Sequence, residues 1–204
     1  MTQVLERLRR EDPEAGIFEL AIDDGGNRCT LSVTARPDQP ETLYLLSAVL
    51  YSYDWIIESA WITAVSGQIE DRFRIRPVAE TPPIGQMREM LDDLERMFSS
   101  PVSVLRFLNT KGKTIRYPCT GSATFAWQIR DGLVSLEIQM LDQPGLALAL
   151  SHFFALVELD LLEVRLAEST PGKVDDLFVF NPSESRLLDE RFRERITDAL
   201  SILL

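Results

Sequence analysis

Apolar and polar residues alternate in several short segments of the chain, a pattern typical of strands with one buried face. The apolar sets are Cys29, Leu31, Val33 and Ala35 in CTLSVTA, and Val134, Leu136, Ile138 and Met140 in LVSLEIQM. An apolar run with helical spacing follows each segment. The predicted core-facing residues are Leu45, Leu46, Val49, Leu50 and Tyr53 in the first helix, and Leu146, Ala149, Leu150, Phe153, Phe154 and Val157 in the second. We expect these helices to begin at Pro40 and Pro144, because a first-turn residue needs no N–H partner.

The same order of elements continues after each predicted helix. Two strands follow, SAWITAV and QIEDRFRI in the first half and LLEVRLAE and VDDLFVF in the second, joined by glycine-containing turns. A second amphipathic helix then closes each unit. Its apolar residues are Met87, Met90, Leu91, Leu94, Met97 and Phe98 in the first, and Leu188, Phe192, Ile196, Ala199, Leu200 and Leu203 in the second. An extra strand, IFELAI or TFAWQI, precedes each unit, so each opens with a hairpin.

An internal duplication explains this repeated order. Aligning PDQPETLYLL (37–46) with LDQPGLALAL (141–150) also aligns Ser47 with Ser151, Gly67 with Gly172, Asp71 with Asp176, Phe73 with Phe178 and Pro77 with Pro182, with one inserted residue, Pro171. The sequence therefore predicts an α+β protein of two ferredoxin-like domains, each βαββαβ, with antiparallel sheets and helices on one face. We expect the domains at residues 1–100 and 123–204, joined by a linker at 101–122 with room for one more strand.

The composition is typical of a globular protein, with 45% hydrophobic and 26% charged residues. The formal net charge of -11 repels phosphate backbones and anionic lipids, so we expect neither nucleic acid nor membrane as a partner. The charged N-terminus lacks the apolar core of a signal peptide, which favours a cytoplasmic protein. Cys29 and Cys119 are far apart and have no metal-binding spacing, so we expect reduced thiols.

Three motifs of the second half resemble those of an ACT domain. They are the strand ATFAWQI, the junction DQPGL and the strand GKVDDLFVF, and they are most similar to the ACT domains at the C-terminus of the bacterial PII uridylyltransferase/uridylyl-removing enzyme. The first half matches less well, because DQPETL lacks the glycine. The resemblance implies a regulatory module that binds an amino acid, with glutamine as the first ligand to test, and that contacts a protein partner or a second copy. Nothing in the chain resembles the catalytic domains of that enzyme.

The second strand–helix junction is the candidate ligand site, with Asp142, Gln143, Pro144, Gly145 and Leu146 as its residues. The N–H groups at a helix N-terminus suit the carboxylate of an amino acid, and a glycine lets that carboxylate approach the backbone. Asp142 is placed to accept hydrogen bonds from an ammonium group. A structural interpretation is equally available: Asp142 and Gln143 cap the helix, Pro144 starts it, and Gly145 eases packing.

The first junction, with Asp38, Gln39, Pro40 and Glu41, is a candidate degenerate site. The carboxylate of Glu41 would occupy the first turn of the helix and repel a second carboxylate. We therefore expect one ligand per chain, bound at the second junction. We also expect Gly145→Glu to abolish binding with little loss of stability.

The chain carries no recognisable catalytic or cofactor motif. It has no Walker loop, nucleophile elbow, zinc spacing or dinucleotide fingerprint, so we expect no enzyme, no cofactor and no metal. His152 has no Ser or Cys partner and receives no role. Asp71 and Asp176 recur through duplication, and turn capping is their expected use. A second hypothesis is a structural or interaction module that has lost its ligand site.

Overall fold

The computed structural model describes residues 4–13, 16–23, 28–35, 42–65, 68–78, 82–99, 103–117 and 123–204. Its strands are β1 (Val4–Asp12), β2 (Gly16–Asp23), β3 (Cys29–Ala35), β4 (Trp55–Val65), β5 (Gln68–Pro77), β6 (Thr124–Arg130), β7 (Leu133–Leu141), β8 (Leu161–Thr170) and β9 (Lys173–Phe180). Its helices are α1 (Thr42–Ser52), α2 (Ile84–Ser99), α3 (Val104–Thr110), α4 (Leu146–Leu156) and α5 (Glu190–Leu203), with a 3₁₀ turn at Ser185–Leu188. The described chain is thus an α+β protein.

The strands form one antiparallel sheet in the order β1-β2-β3-β5-β4-β8-β9-β7-β6. The two predicted units share this sheet, because β4 pairs with β8 from Ser59–Ala167 to Thr63–Glu163. An unpaired edge strand exposes N–H and C=O groups, and this pairing satisfies them on both edges. The order β2-β3-β5-β4 on one side of this junction mirrors β6-β7-β9-β8 on the other.

Each half repeats the order strand, strand, helix, strand, strand, helix. The final strand of the predicted order βαββαβ is absent from the described part of each half: α3 and then β6 of the second half follow α2, and no strand follows α5. The hairpin strand β6 instead lies beside β7, where the last strand of a ferredoxin-like unit would lie. The arrangement is compatible with an ACT-type fold. The domain boundaries at residues 100 and 122 stay predictions.

The helices pack on one face of the sheet. The strand residues of that face are fully buried, including Leu31, Phe73, Leu136 and Phe178, so the predicted alternation is confirmed in both halves. Aromatic rings from helix and strand meet there, as Phe154 does with Phe178 at 4.9 Å between ring centroids. Burial of these apolar surfaces is the main favourable term in folding.

The first helix of each half lies at the centre of the molecule. In α1 nearly every side chain from Thr42 to Ser52 is buried, so the predicted single core-facing stripe describes only part of its burial. The reason is that α1 packs against α2, α3, α4 and β4. The two halves are therefore joined at two places, by the pairing of β4 with β8 in the sheet and by the packing of α1 on α4 in the helical layer.

Three elements differ from the sequence-based expectation. Strand β1 was not predicted, because its residues VLERLRRED are mostly charged, as suits a strand at the edge of a sheet. The linker contains the helix α3 instead of a strand, with Val104, Phe107 and Leu108 buried. Leu188, predicted to face the core, is exposed in the 3₁₀ turn.

The opposite face of the sheet is open. Trp61 is 54% exposed on it, and the guanidinium of Arg165 lies over its ring at 4.8 Å from the centroid. Leu177 and Val179 are half-buried. These three apolar positions are therefore only partly covered within the described chain. No helix in the described ranges is long and apolar enough to cross a membrane.

We predict that residues 123–204 alone do not form a well-behaved monomer. Removing the first half exposes the edge of β8 and the face of α4 that packs on α1, and exposed edges of this kind promote association. Light scattering and chemical denaturation of the fragment and of the intact chain test this. A monomeric fragment with the stability of the intact chain would contradict the role assigned to the β4–β8 pair.

Candidate functional site

All five residues of the predicted ligand site line one cleft between the two halves of the sheet. The second half contributes Asp142, Gln143, Pro144, Gly145 and Leu146, with Ala147, Leu148, Leu166, Ala167, Val174 and Asp176 beside them. The first half contributes Ser47, Leu50, Tyr51, Trp55, Ile56, Ile57 and Glu58. The cleft encloses about 40 Å³, which is room for a few water molecules.

The junction DQPGL forms a tight turn before the helix. The N–H of Leu146 donates to the carbonyl of Gln143 at 3.1 Å, and Gly145 has φ 88° and ψ 4°. These values match the third position of a type II turn, with Pro144 at the second position. The expectation that α4 begins at Pro144 is therefore wrong: Gly145 is its N-cap, and α4 begins at Leu146.

No side chain caps the N-terminus of α4. The structural interpretation, in which Asp142 or Gln143 caps the helix, is thus not supported. The carbonyl of Gly145 accepts the first helical bond, from the N–H of Ala149 at 2.9 Å. In the described part of the chain no acceptor is assigned to the N–H groups of Ala147 and Leu148. These groups belong to the first turn, where backbone donors have no partner within the helix.

The ring of Tyr51, from the last turn of α1, covers Gly145. A Cβ placed on Gly145 would lie 2.9 Å from Cε2 and 3.2 Å from Cδ2 of that ring. Gly145 therefore has two structural roles, the positive φ and the close approach of Tyr51. The expectation that Gly145→Glu leaves stability unchanged is wrong for both reasons.

The second half contributes two carboxyl groups to the cleft, those of Asp142 and Asp176. Asp176 is 3% exposed, and the N–H of Ala167 donates to its Oδ1 at 3.3 Å. Burial raises the pKa of Asp176 to about 8, opposed by the Ala167 bond and assisted by the charges of Asp142 and Asp175. Burial also raises the pKa of Asp142, while the N–H of Gln143 and the charge of Arg76 lower it.

A third carboxylate, that of Glu58, reaches the cleft from β4. Its two oxygens pair with Arg76 Nε at 3.1 Å and with Arg28 Nε at 3.3 Å. Arg76 is the last of three arginines, after Arg72 and Arg74, that alternate along β5, and it pairs with this carboxylate. Arg76 thereby links the acidic side chains of the two halves.

The duplicated serines of α1 and α4 differ in their hydrogen bonds. Ser151 Oγ donates to the carbonyl of Ala147 at 2.7 Å. Ser47, at the equivalent position, lines the cleft at 2% exposure, and its Oγ has no partner within the described ranges. A buried hydroxyl without a hydrogen bond is costly, so Ser47 marks a place where a ligand atom or water would be stabilising.

The other candidate residues lie elsewhere. Asp38, Gln39, Pro40 and Glu41 are outside the described residues. His152 packs on Tyr44 with 5.1 Å between ring centroids, and its Nδ1 hydrogen-bonds with the hydroxyl of Tyr117 at 2.7 Å. Burial lowers the pKa of His152. No group of three His, Cys, Asp or Glu side chains in the described ranges is arranged to hold a metal.

Sequence reasoning gave no ligand-binding role to Ser47, Tyr51 or Asp176, which line the cleft. The turn capping expected of Asp176 is wrong, because its carboxyl is buried and accepts from the N–H of Ala167 within β8. The duplication contained a signal for two of them. Ser47 aligns with Ser151, and Asp176 aligns with Asp71, so both positions recur. Their place in the cleft follows only from the packing of α1 on α4, which the sequence pattern does not specify.

No protein-family model matches the chain, and no curated protein matches it in sequence. Among solved structures, the chain is similar to the aspartate kinase from Synechocystis, with a TM-score of 0.41 and 13% identity. The similarity covers 93% of this chain and 29% of the kinase chain, so this chain spans less than a third of that chain's length. A likeness this weak says nothing about what the cleft binds.

We predict that Gly145→Ala lowers the free energy of unfolding more than Gly172→Ala does. Both glycines have positive φ, 88° and 78°, and an L-residue there costs roughly 1–2 kcal/mol. Only at Gly145 does the new Cβ also meet the Tyr51 ring, because nothing lies within 4 Å at Gly172. Denaturant unfolding of both variants tests this, and equal losses would contradict the contact.

We also predict that Asp176→Asn makes the protein relatively more stable at alkaline pH. The folded pKa of Asp176 is raised from 3.8 to about 8, so the stability that this group contributes is present below 3.8 and lost as the pH rises through about 8. The free energy of unfolding of the variant, measured in urea, should therefore rise relative to that of the wild type between about pH 5 and about pH 8. Asp198→Asn, at an exposed position of α5, is the control. A constant difference across this range would count against the buried acid.

Proposed function

We propose that the chain is a regulatory module that binds an amino acid in the cleft between its halves. The observation that supports this best is the combination of free N–H groups at the start of α4 with the unpartnered hydroxyl of Ser47 in one cavity. The resemblance of DQPGL and GKVDDLFVF to the ACT domains of the PII uridylyltransferase agrees with this proposal. We assign the chain no catalysis.

In this proposal the carboxylate of the ligand binds at the N-terminus of α4. The N–H groups of Ala147 and Leu148 point toward this end of the helix, where the helix dipole also favours an anion. Gly145 keeps the approach free of a side chain. The ligand's other groups then face Asp142, Asp176 and Ser47 deeper in the cleft.

Ligand binding requires Tyr51 to move. The cleft of about 40 Å³ is too small for an amino acid as it stands, and the Tyr51 ring lies over Gly145. Because Tyr51 belongs to the last turn of α1, its displacement would act on the helix that joins both halves. We infer that the ligand alters the packing of α1 on α4, and that a protein partner or a second copy responds to this change.

The second candidate is an interaction module without a ligand. The exposed Trp61 on the open sheet face, held under Arg165, favours this alternative, because exposed aromatic residues often mark contact surfaces. In that case the cleft would hold only water. The experiment below separates the two candidates.

We predict that an amino acid, with L-glutamine tested first, raises the melting temperature, because a ligand of the native state stabilises it by mass action. Titration calorimetry should then give one site per chain. Ser47→Ala should weaken binding without loss of stability, since its hydroxyl has no partner to lose.

The matched control is Ser151→Ala. It removes the hydrogen bond to Ala147 and should cost some stability while leaving the cleft wall from α1 intact. If none of the common amino acids shifts the melting temperature, the interaction module is the better account. If Ser151→Ala weakens binding more than Ser47→Ala, the ligand is at another site.

A further inference from the structure

Building on the proposed function, we propose that the cleft selects its ligand by a primary ammonium group, which Asp176 binds as a carboxylate after giving its proton to solvent. Asp176 lies on the helix-facing side of β9 and is 3% exposed. It lines the same small cavity as Asp142 and Ser47. Within the described ranges its carboxyl accepts one hydrogen bond, from the N–H of Ala167, which is long at 3.3 Å.

The oxygen atoms of these three side chains match the donors of an ammonium group. A primary ammonium carries three N–H donors and no acceptor, and it is stabilised where several oxygens converge. Asp142 and Asp176 each offer a carboxyl group, and the buried Oγ of Ser47 lacks a partner in the described ranges. An anionic group at this place would face the charge of Asp142, and an uncharged group would form no ion pair with Asp176.

The charges around the cleft also favour a cationic ligand group. Its described lining includes the acidic residues Glu58, Asp142 and Asp176 but no lysine, arginine or histidine. Arg76 and Arg28 approach from outside and pair with Glu58, which neutralises that side chain. Asp175 and Glu168 add negative charge near Asp176 and Asp142 respectively. The described lining around Asp142 and Asp176 therefore holds acidic side chains and no cation of its own.

Binding then exchanges a proton for a cation. With a pKa of about 8, the carboxyl of Asp176 is mostly protonated at neutral pH in the free protein. An ammonium group favours the ionised form and lowers that pKa. The neutral acid and the ammonium ligand become an ion pair, and the one proton lost from Asp176 goes to solvent. No bond of the ligand changes.

Two ligands that differ only in the amine test the selectivity on the intact protein. L-glutamine should bind, whereas 4-carbamoylbutanoate, which has the same skeleton without the α-amine, should bind at least ~10-fold more weakly, since a tenfold change corresponds to 1.4 kcal/mol. Methylammonium chloride probes the ammonium subsite alone and should compete with L-glutamine. Equal affinities for the first two compounds would overturn the proposal.

Calorimetry in two buffers of different ionisation enthalpy measures the proton. Binding of L-glutamine should release close to one proton per site well below about pH 8 and fewer above it, because Asp176 is already ionised there. The affinity should rise with pH over the same range. Asp176→Asn should abolish the release and weaken binding, whereas Asp71→Asn, at the equivalent position of the first half, should preserve both.

The outcomes separate this inference from the proposed function. Amino-acid binding without proton release, or with equal loss in Asp71→Asn, would sink the inference and leave the function standing. Methylammonium binding with proton release, but no amino acid bound, would support the ammonium subsite and contradict the function. If Asp176→Asn fails to fold, the buffer comparison on the wild type still decides the question.

Discussion

The antiparallel pairing of β4 with β8 is the interaction on which the rest of the molecule depends. It joins two repeats of the same element order into one sheet and brings α1 against α4 above the junction. Without it, Tyr51 would not reach Gly145, and Ser47 would not share a cavity with Asp176. The cleft thus belongs to neither repeat alone, because each repeat supplies one of its walls.

The duplication has produced equivalent positions with different chemistry. Asp54 and Glu158 still share a left-handed conformation, with φ 59° and 54°, two residues after the ends of α1 and α4. In contrast, Ser151 is bonded to its own helix while Ser47 faces the cleft, and Tyr51 corresponds to Ala155. A buried acid such as Asp176 is costly for stability. Asp176 lines the same cleft as Ser47, whose Oγ has no partner in the described ranges.

The sequence predicted most strands and helices, because alternation and helical spacing follow directly from which face is buried. It failed where charge concealed the pattern, as in β1, and where the linker formed α3. The run Gln143-Pro144-Gly145 predicts a helix start, but proline followed by glycine is also the signature of a type II turn, which the structure has here. The candidate residues do share a cleft, but Ser47 and Tyr51 enter it through contacts between distant helices, which local pattern cannot reveal.

The most direct test of the account is a titration of the isotope-labelled chain with L-glutamine, followed by backbone amide NMR. The account predicts saturable shifts at Ser47, Tyr51, Gly145, Ala147 and Asp176, with smaller changes along the interface of α1 and α4. Shifts centred on the opposite end of this helix pair, at Tyr44 and His152, or no shifts at all, would contradict it.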